Sequence, residues 1–445
     1  MVDIMPPGLV GRVRSLQTHG AKVGSLTAGQ RVAVNLSGIT YDQLERGYAL
    51  CAKGAFAATD CISAWLEILP SAQEPVTHWQ RLRLHVGTAD VVVRISLLRM
   101  NADERKSGIL PGNGGPVQLL CESKITVAAG QRFVIRFYSP LVTIGGGRIM
   151  LPNAELAKGK ADREAKAKIV EDLTASFSPV SLLAALVHDK KILSTSGLFE
   201  LSQMDRNPFN ESLSVLSSDQ KTYGLLEFGA ARNFIAADAF DRVMRSALRL
   251  LHEFHAKYPE LSGLEAEKLY AAMDSIHGSL WVKGGDFKDL LGIMTARNTI
   301  APVDVQGKIC YRAADYHRPS LDGKLMDIVE RVRDTIASAG FNLLKQSELE
   351  EKLGPHFAAP SSDMKRAMAY LREQDDLRTI EGGLLFSCEM RDKLLAALAS
   401  MNGDITVASV RDTIGVGRKD TSAMLEFLDS QGLTQRDGDK RVLAG

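Results

Sequence analysis

The sequence predicts a multidomain chain in which β-barrels come first and tandem winged-helix (α+β) modules follow. Three observations predict it. Up to about residue 152, short runs alternate polar and apolar residues between glycines, the period of half-buried strands. From Glu155 onward, apolar residues recur three and four apart, the period of helices. Within that second half, each helix-rich stretch ends in a short hairpin-like run, which is the order of a winged helix.

Taken from the start, Gly11–Gln17 and Gly29–Leu36 read as strands of a first barrel, assigned to residues 1–55. Cys61–Leu69, Arg81–Val86, Val91–Leu98, Val117–Cys121, Arg132–Phe137 and Gly145–Met150 supply a second, assigned to 56–153. Within the last of these runs Gly145-Gly146-Gly147 reads as a turn. Glu155–Lys168 is charged and helix-favouring, a linker passing into a helix. Hairpin runs at Tyr223–Phe228, Thr299–Tyr311, Leu377–Phe386 and Leu433–Leu443 then close four winged helices. Their expected bounds are 154–228 with the linker helix, 229–318, 319–388 and 389–445. Modules in such a series span distance as rigid units.

The last module carries the candidate site. Met390–Met401 reads as a helix, Asn402-Gly403-Asp404 as a turn, and Val407–Asp412 as a short helix. A tight turn at Ile414–Lys419 leads into an amphipathic helix over Thr421–Gln431, stopped by Gly432. Arg418 and Lys419 sit at the start of that helix, where backbone N–H groups and the helix dipole favour an anion. Arg436, Lys440 and Arg441 lie on the following hairpin, and Arg411 on the short helix before. Cations on two neighbouring turns form a phosphate clamp; a solvated basic surface is the plainer alternative.

Composition limits the rest. Among 445 residues, 54 are basic and 53 acidic, so nucleic-acid binding has to come from local patches. The five cysteines are odd in number, dispersed and never in C-x-x-C, which argues against a disulfide framework or zinc ribbon and for a reducing cytoplasm. No signal peptide or bilayer-spanning run is apparent. There is no G-x-x-x-x-G-K-[ST] loop and no supported catalytic constellation, so no enzyme activity is expected. His252 and His255 share a helical face without a third ligand, and read as core or surface histidines rather than a metal pair.

Val410–Lys419, with Leu425-Glu426-Phe427-Leu428-Asp429 and Thr434-Gln435-Arg436, resembles the C-terminal winged helix of bacterial selenocysteine-specific elongation factors, the SelB family. Val13–His19, Ala28–Leu36 and Arg46-Gly47 resemble the second domain of that EF-Tu-like factor. His85–Ala89, Tyr138-Ser139-Pro140 and Thr143–Gly147 resemble its third. The resemblance implies EF-Tu-like barrels, the first incomplete because Met1 falls in mid-barrel, and a GTPase domain absent from this chain. GTP and Mg would then belong to the full-length family and no cofactor to this chain.

The resemblance further implies that the last winged helices hold a selenocysteine insertion hairpin of messenger RNA through Arg411, Arg418, Lys419, Arg436, Lys440 and Arg441. The barrels would hold selenocysteinyl-tRNA for delivery at UGA on the ribosome. Arg46 would face the aminoacyl end; an ion pair with Glu45 or Asp42 is the alternative. A winged-helix regulator of DNA is the competing function, since the fold serves duplex DNA as readily as RNA.

Overall fold

Glycine spacing and alternation set the first elements. The computed structural model describes residues 1–99, 108–277, 284–305, 307–353, 361–401 and 404–443. Strands β1 (Val2–Met5), β2 (Leu9–Thr18), β3 (Ala21–Val23), β4 (Ala33–Ser37) and β5 (Ala49–Ala52) form one antiparallel sheet. Its order is β3-β2-β1-β5, with β4 also paired to β2, and it is not closed among the described residues.

The second β-region closes. Strands β6 (Thr59–Ile68), β7 (Arg81–Val86), β8 (Ala89–Leu97), β9 (Gly114–Ile125), β10 (Arg132–Phe137) and β11 (Thr143–Leu151) form a barrel in the order β10-β11-β6-β9-β8-β7. Alternation explains its filling: Leu82 and Leu84 are buried while Arg81 faces solvent and pairs with Glu122.

Here the turn expected at Gly145-Gly146-Gly147 is corrected. All three glycines lie inside β11, paired to β10 on one side and β6 on the other. A Cβ on Gly147 would come within 1.9 Å of the Trp65 carbonyl oxygen, and one on Gly145 within 2.3 Å of that of Glu67. The run allows close backbone approach rather than a change of direction.

Residues after Ala154 leave the barrel through a buried anchor. Gln118 donates from Nε2 to the Glu155 carbonyl at 2.8 Å and accepts the Ala157 N–H at 2.9 Å. Helix α1 (Gly159–Ala175) then packs on α2 (Pro179–Lys190), where Lys166 and Asp189 form a buried ion pair at 2.6 Å. Ser178 caps α2, and Pro179 takes the first helical position, where a missing N–H costs nothing.

The first winged helix comprises α2, β12 (Ile192–Ser194), α3 (Thr195–Ser202), α4 (Arg206–Ser218), β13 (Leu225–Phe228) and β14 (Asn233–Ala236). The expected boundary at 228 would cut its hairpin: β14 lies between β12 and β13 in the sheet. Asn233-Phe234-Ile235-Ala236 is buried throughout and lacks the alternation that marks an exposed wing, so the expected bounds place it in the next module.

Three further winged helices follow. The second has α5 (Ala237–Lys257), β15 (Leu264–Glu265), α6 (Ala266–His277), α7 (Gly284–Ala296), β16 (Ile300–Val305) and β17 (Lys308–Ala313). The third has α8 (Gly323–Ala339), β18 (Leu344–Lys345), α9 (Gln346–Leu353), α10 (Ser361–Glu373), β19 (Leu377–Ile380) and β20 (Leu384–Ser387). The fourth has α11 (Cys388–Ala399), α12 (Val407–Ile414), α13 (Arg418–Ser430), β21 (Thr434–Asp437) and β22 (Lys440–Leu443). The Gln306 position of the second hairpin and the Asn402-Gly403 turn lie outside the described residues.

The chain divides into two units, Met1–Arg242 with Val282–Leu290 and Val243–Trp281 with Leu291–Gly445. Inside the second, the modules are joined by chemistry of two kinds. Between the second and third, Glu260 is 1% exposed and accepts two bonds from the Arg366 guanidinium at 2.9 and 2.8 Å. Between the third and fourth, one hydrophobic core runs unbroken from Leu325 to Leu428, and Phe386 meets Phe427 edge-on at 5.5 Å. On α5, His255 is 5% exposed and stacks on Tyr316 with centroids 3.6 Å apart, whereas His252 is outside, 4.0 Å from Asp315.

Candidate nucleic-acid interface

The last module presents its cations through three local devices. Thr406 caps α12 with Ser409 in a reciprocal pair of hydrogen bonds, which fixes where that helix starts. Gly415 ends it in the left-handed conformation at φ +75°, allowing the chain to reverse within two residues. Gly417 then occupies the cap of α13 and brings no side-chain acceptor, so the first-turn N–H groups of α13 are not capped by a side chain. Met424, Leu425 and Leu428 are fully buried and hold α13 down by one face.

Arg418 and Lys419 therefore stand exposed at the uncapped, positive end of α13. Neither lies within 4.0 Å of a carboxylate among the described residues. Arg436 is also exposed on β21 and turns its Nε–H onto the Gly438 carbonyl at 3.0 Å, at the tip of the wing. Lys440, opposite Asp437 in the hairpin, is exposed but tied to Asp404 at 2.5 Å.

Two sequence candidates sit differently. Arg441 is 5% exposed: its Nε–H donates to Asp429 at 2.8 Å and its backbone N–H to Ile405 at 2.8 Å. Asp429 also accepts from Thr434 at 2.6 Å. The Arg441 guanidinium thus pins the wing to α13 from inside, and its assignment to the RNA-facing set is corrected. Charge and position on a hairpin suggested an exposed side chain; the strand's pleat turns it inward. Arg411 is partly exposed, but its guanidinium lies on its neighbour Asp412 at 2.6 and 2.8 Å. Of the six candidates, Arg418, Lys419 and Arg436 are those without a carboxylate partner among the described residues.

Arg46 belongs to the β-rich half. It is exposed in the turn between Tyr41–Gln43 and β5, and no ion pair with Glu45 or Asp42 forms within 4.0 Å. Its neighbour Gly47, at φ +102°, sits so close to Ala89 that a Cβ would be 3.1 Å from the Ala89 Cα. Gly47 thereby seats the Arg46 turn on the β7–β8 end of the barrel.

Sequence reasoning missed the joints of the arm. Glu260 and Arg366 are 106 positions apart, and no local pattern links them. The only signal was a Glu embedded in Tyr258-Pro259-Glu260-Leu261, a polar residue in an apolar turn.

Comparison with known proteins follows the same two regions. Residues 64–155 match the family model described as the beta-barrel domain of selenocysteine-specific elongation factor. Residues 396–443 match the one described as the winged helix of elongation factor SelB. The chain is 24% identical over 452 residues to the selenocysteine-specific elongation factor of Desulfomicrobium baculatum, covering 99% of this chain and 66% of that protein. To the factor of the same name from Escherichia coli (strain K12) it is 21% identical over 444 residues, covering 97% and 63%. Its fold is similar to a crystal structure of bacterial selenocysteine-specific elongation factor EF-Sec, with a TM-score of 0.59 at 16% identity over 100% of this chain and 64% of that one. The chain spans just under two thirds of the length of these relatives.

Proposed function

We propose, for a chain that is SelB-like from its barrel to its last winged helix, that it carries the RNA-binding part of a selenocysteine-specific elongation factor. In this reading the fourth winged helix holds a selenocysteine insertion hairpin of messenger RNA. Arg418 and Lys419 meet its phosphates from the tip of α13, Arg436 meets them from the wing, and Lys440 joins once it leaves Asp404. The observation that carries the proposal is this set of exposed cations on the module that matches the SelB winged helix. A helix tip and a wing can follow backbone shape and an extruded loop base, the usual way a folded RNA hairpin is recognised.

The β-rich half holds selenocysteinyl-tRNA, with Arg46 facing the aminoacyl end, where a cation distinguishes an ionised selenol from a hydroxyl. The complex acts on the ribosome, in the cytoplasm, at a recoded UGA. The proposal assigns these 445 residues RNA binding and no GTP chemistry, because they contain no G-x-x-x-x-G-K-[ST] loop to hold the phosphates and Mg. Among the described residues no helix is long and apolar enough to cross a membrane.

The test is a mobility shift of the whole chain with an RNA stem-loop against a DNA duplex at matched salt. Preference for the stem-loop, weakened by Arg418→Ala and Lys419→Ala, is expected. Preference for the duplex would reject the proposal in favour of a DNA-binding regulator.

A further inference from the structure

We infer that the cleft between the second and third winged helices is an oxyanion site, in which Arg372 takes a phosphate group. The cleft has a volume of about 530 Å³, within the size range of small-ligand pockets. Arg372 enters it from α10, in the unit that also contains β15 and β17.

The charges around the cleft are unequal. Four cations line the cleft, Arg372, Arg378, Lys268 and Lys308, against two carboxylates, Glu265 and Glu373. Glu265 is shared by Lys268 at 2.9 Å and Lys308 at 3.6 Å. Arg378 is paired with Asp375. Glu373 is occupied elsewhere, accepting the Ser262 N–H at 2.7 Å and facing Arg318 at 3.7 Å. Arg372 is left with a neutral partner, the Gln346 amide oxygen, at 3.3 Å. Its Nε is shut off from solvent and has no hydrogen-bond partner among the described residues.

A guanidinium in that position carries a desolvation cost that its neutral partner offsets only in part. Burial accordingly presses its pKa below the ordinary arginine value. A tetrahedral oxyanion supplies what is missing: a negative charge in the cleft beside the guanidinium. The two lysines at the mouth, holding one carboxylate between them, add a net attraction at longer range. Both free phosphate and the phosphodiester of an RNA strand present this chemistry.

Calorimetric titration of the whole chain with inorganic phosphate, at constant ionic strength set by sodium chloride, tests the site. Wild type is expected to bind, and Arg372→Met to bind at least about tenfold more weakly, as for loss of a charge-assisted pair. Arg418→Gln with Lys419→Gln should retain phosphate binding, which separates this site from the α13 tip. A parallel titration with a single-stranded RNA oligonucleotide identifies the source. If phosphate alone fails to bind but Arg372→Met lowers the salt slope of RNA binding by about one unit, the ligand is the phosphodiester. Should Arg372→Met not fold by circular dichroism, Arg372→Gln is read in its place. If neither phosphate nor RNA binding distinguishes the variant from wild type, the site is overturned, and the readout is independent of whether the fourth module binds a hairpin.

Discussion

Lowering the pH should loosen the second winged helix through His255, and the size of the effect follows from where the ring lies. His255 is 5% exposed, neither ring nitrogen has a hydrogen-bond partner among the described residues, and the ring stacks on Tyr316. Burial first, then the charges of His252 and Arg312, push its pKa down to about 4 from an ordinary 6.5. The folded state therefore excludes the protonated ring, while the unfolded chain takes up a proton below its ordinary pKa. Stability is complete above pH 6.5 and is lost as pH falls toward 4, at about 1.4 kcal/mol per pH unit. The total is ~3 kcal/mol, a large share of a domain's stability. His255→Phe keeps the stack and removes the proton site. The assay is native-state hydrogen exchange of peptides from α5 in both proteins, since a multidomain chain has no single unfolding free energy. Between pH 7.5 and 4.5 the wild-type opening free energy should fall relative to the variant by about that amount. Parallel curves for the two proteins would refute the reasoning.

Other predictions follow from the interface and the joints. Arg418→Ala, Lys419→Ala and Arg436→Ala should each flatten the salt dependence of stem-loop binding by about one unit of slope or less, with unchanged melting temperature. Arg441→Met should instead speed native-state hydrogen exchange in α13 and the wing, because Asp429 loses its buried partner, at a cost of ~3 kcal/mol. Glu260→Gln should destabilise the joint of the second and third modules by ~3 kcal/mol, read as faster exchange in α10. Gly147→Ala should cost ~4 kcal/mol in the barrel, since its Cβ would meet the Trp65 carbonyl, and thermal melts by near-ultraviolet circular dichroism would detect it.

The sequence was most legible where one period ran alone. Arg81-Leu82-Arg83-Leu84 declares a half-buried strand, and Met424, Leu425 and Leu428 declare the inner face of α13. Gly415 and Gly432 punctuated the last module because a chain reversal needs a left-handed residue there. Legibility failed where a residue type has two uses. Glycines serve both turns and close strand packing, so Gly145-Gly146-Gly147 was misplaced. A strand buried on both faces carries no alternation, so Asn233–Ala236 escaped. In the candidate site, the exposure of Arg418, Lys419 and Arg436 was readable because helix ends and hairpins project into solvent. Arg441 was not, since its fate depends on Asp429, a partner 12 positions away. The Arg372 cleft was invisible for the same reason, as its walls come from two modules.

The unbroken core beneath the third and fourth modules has an evolutionary consequence. A tip that shares Phe386 with its support cannot be exchanged for another tip without recutting the support to fit. Any change in what the tip binds is thereby steered toward point changes among its outward-facing side chains. Transplanting a whole terminal module would expose a greasy stump on the donor and leave the acceptor's helix α13 without its seat.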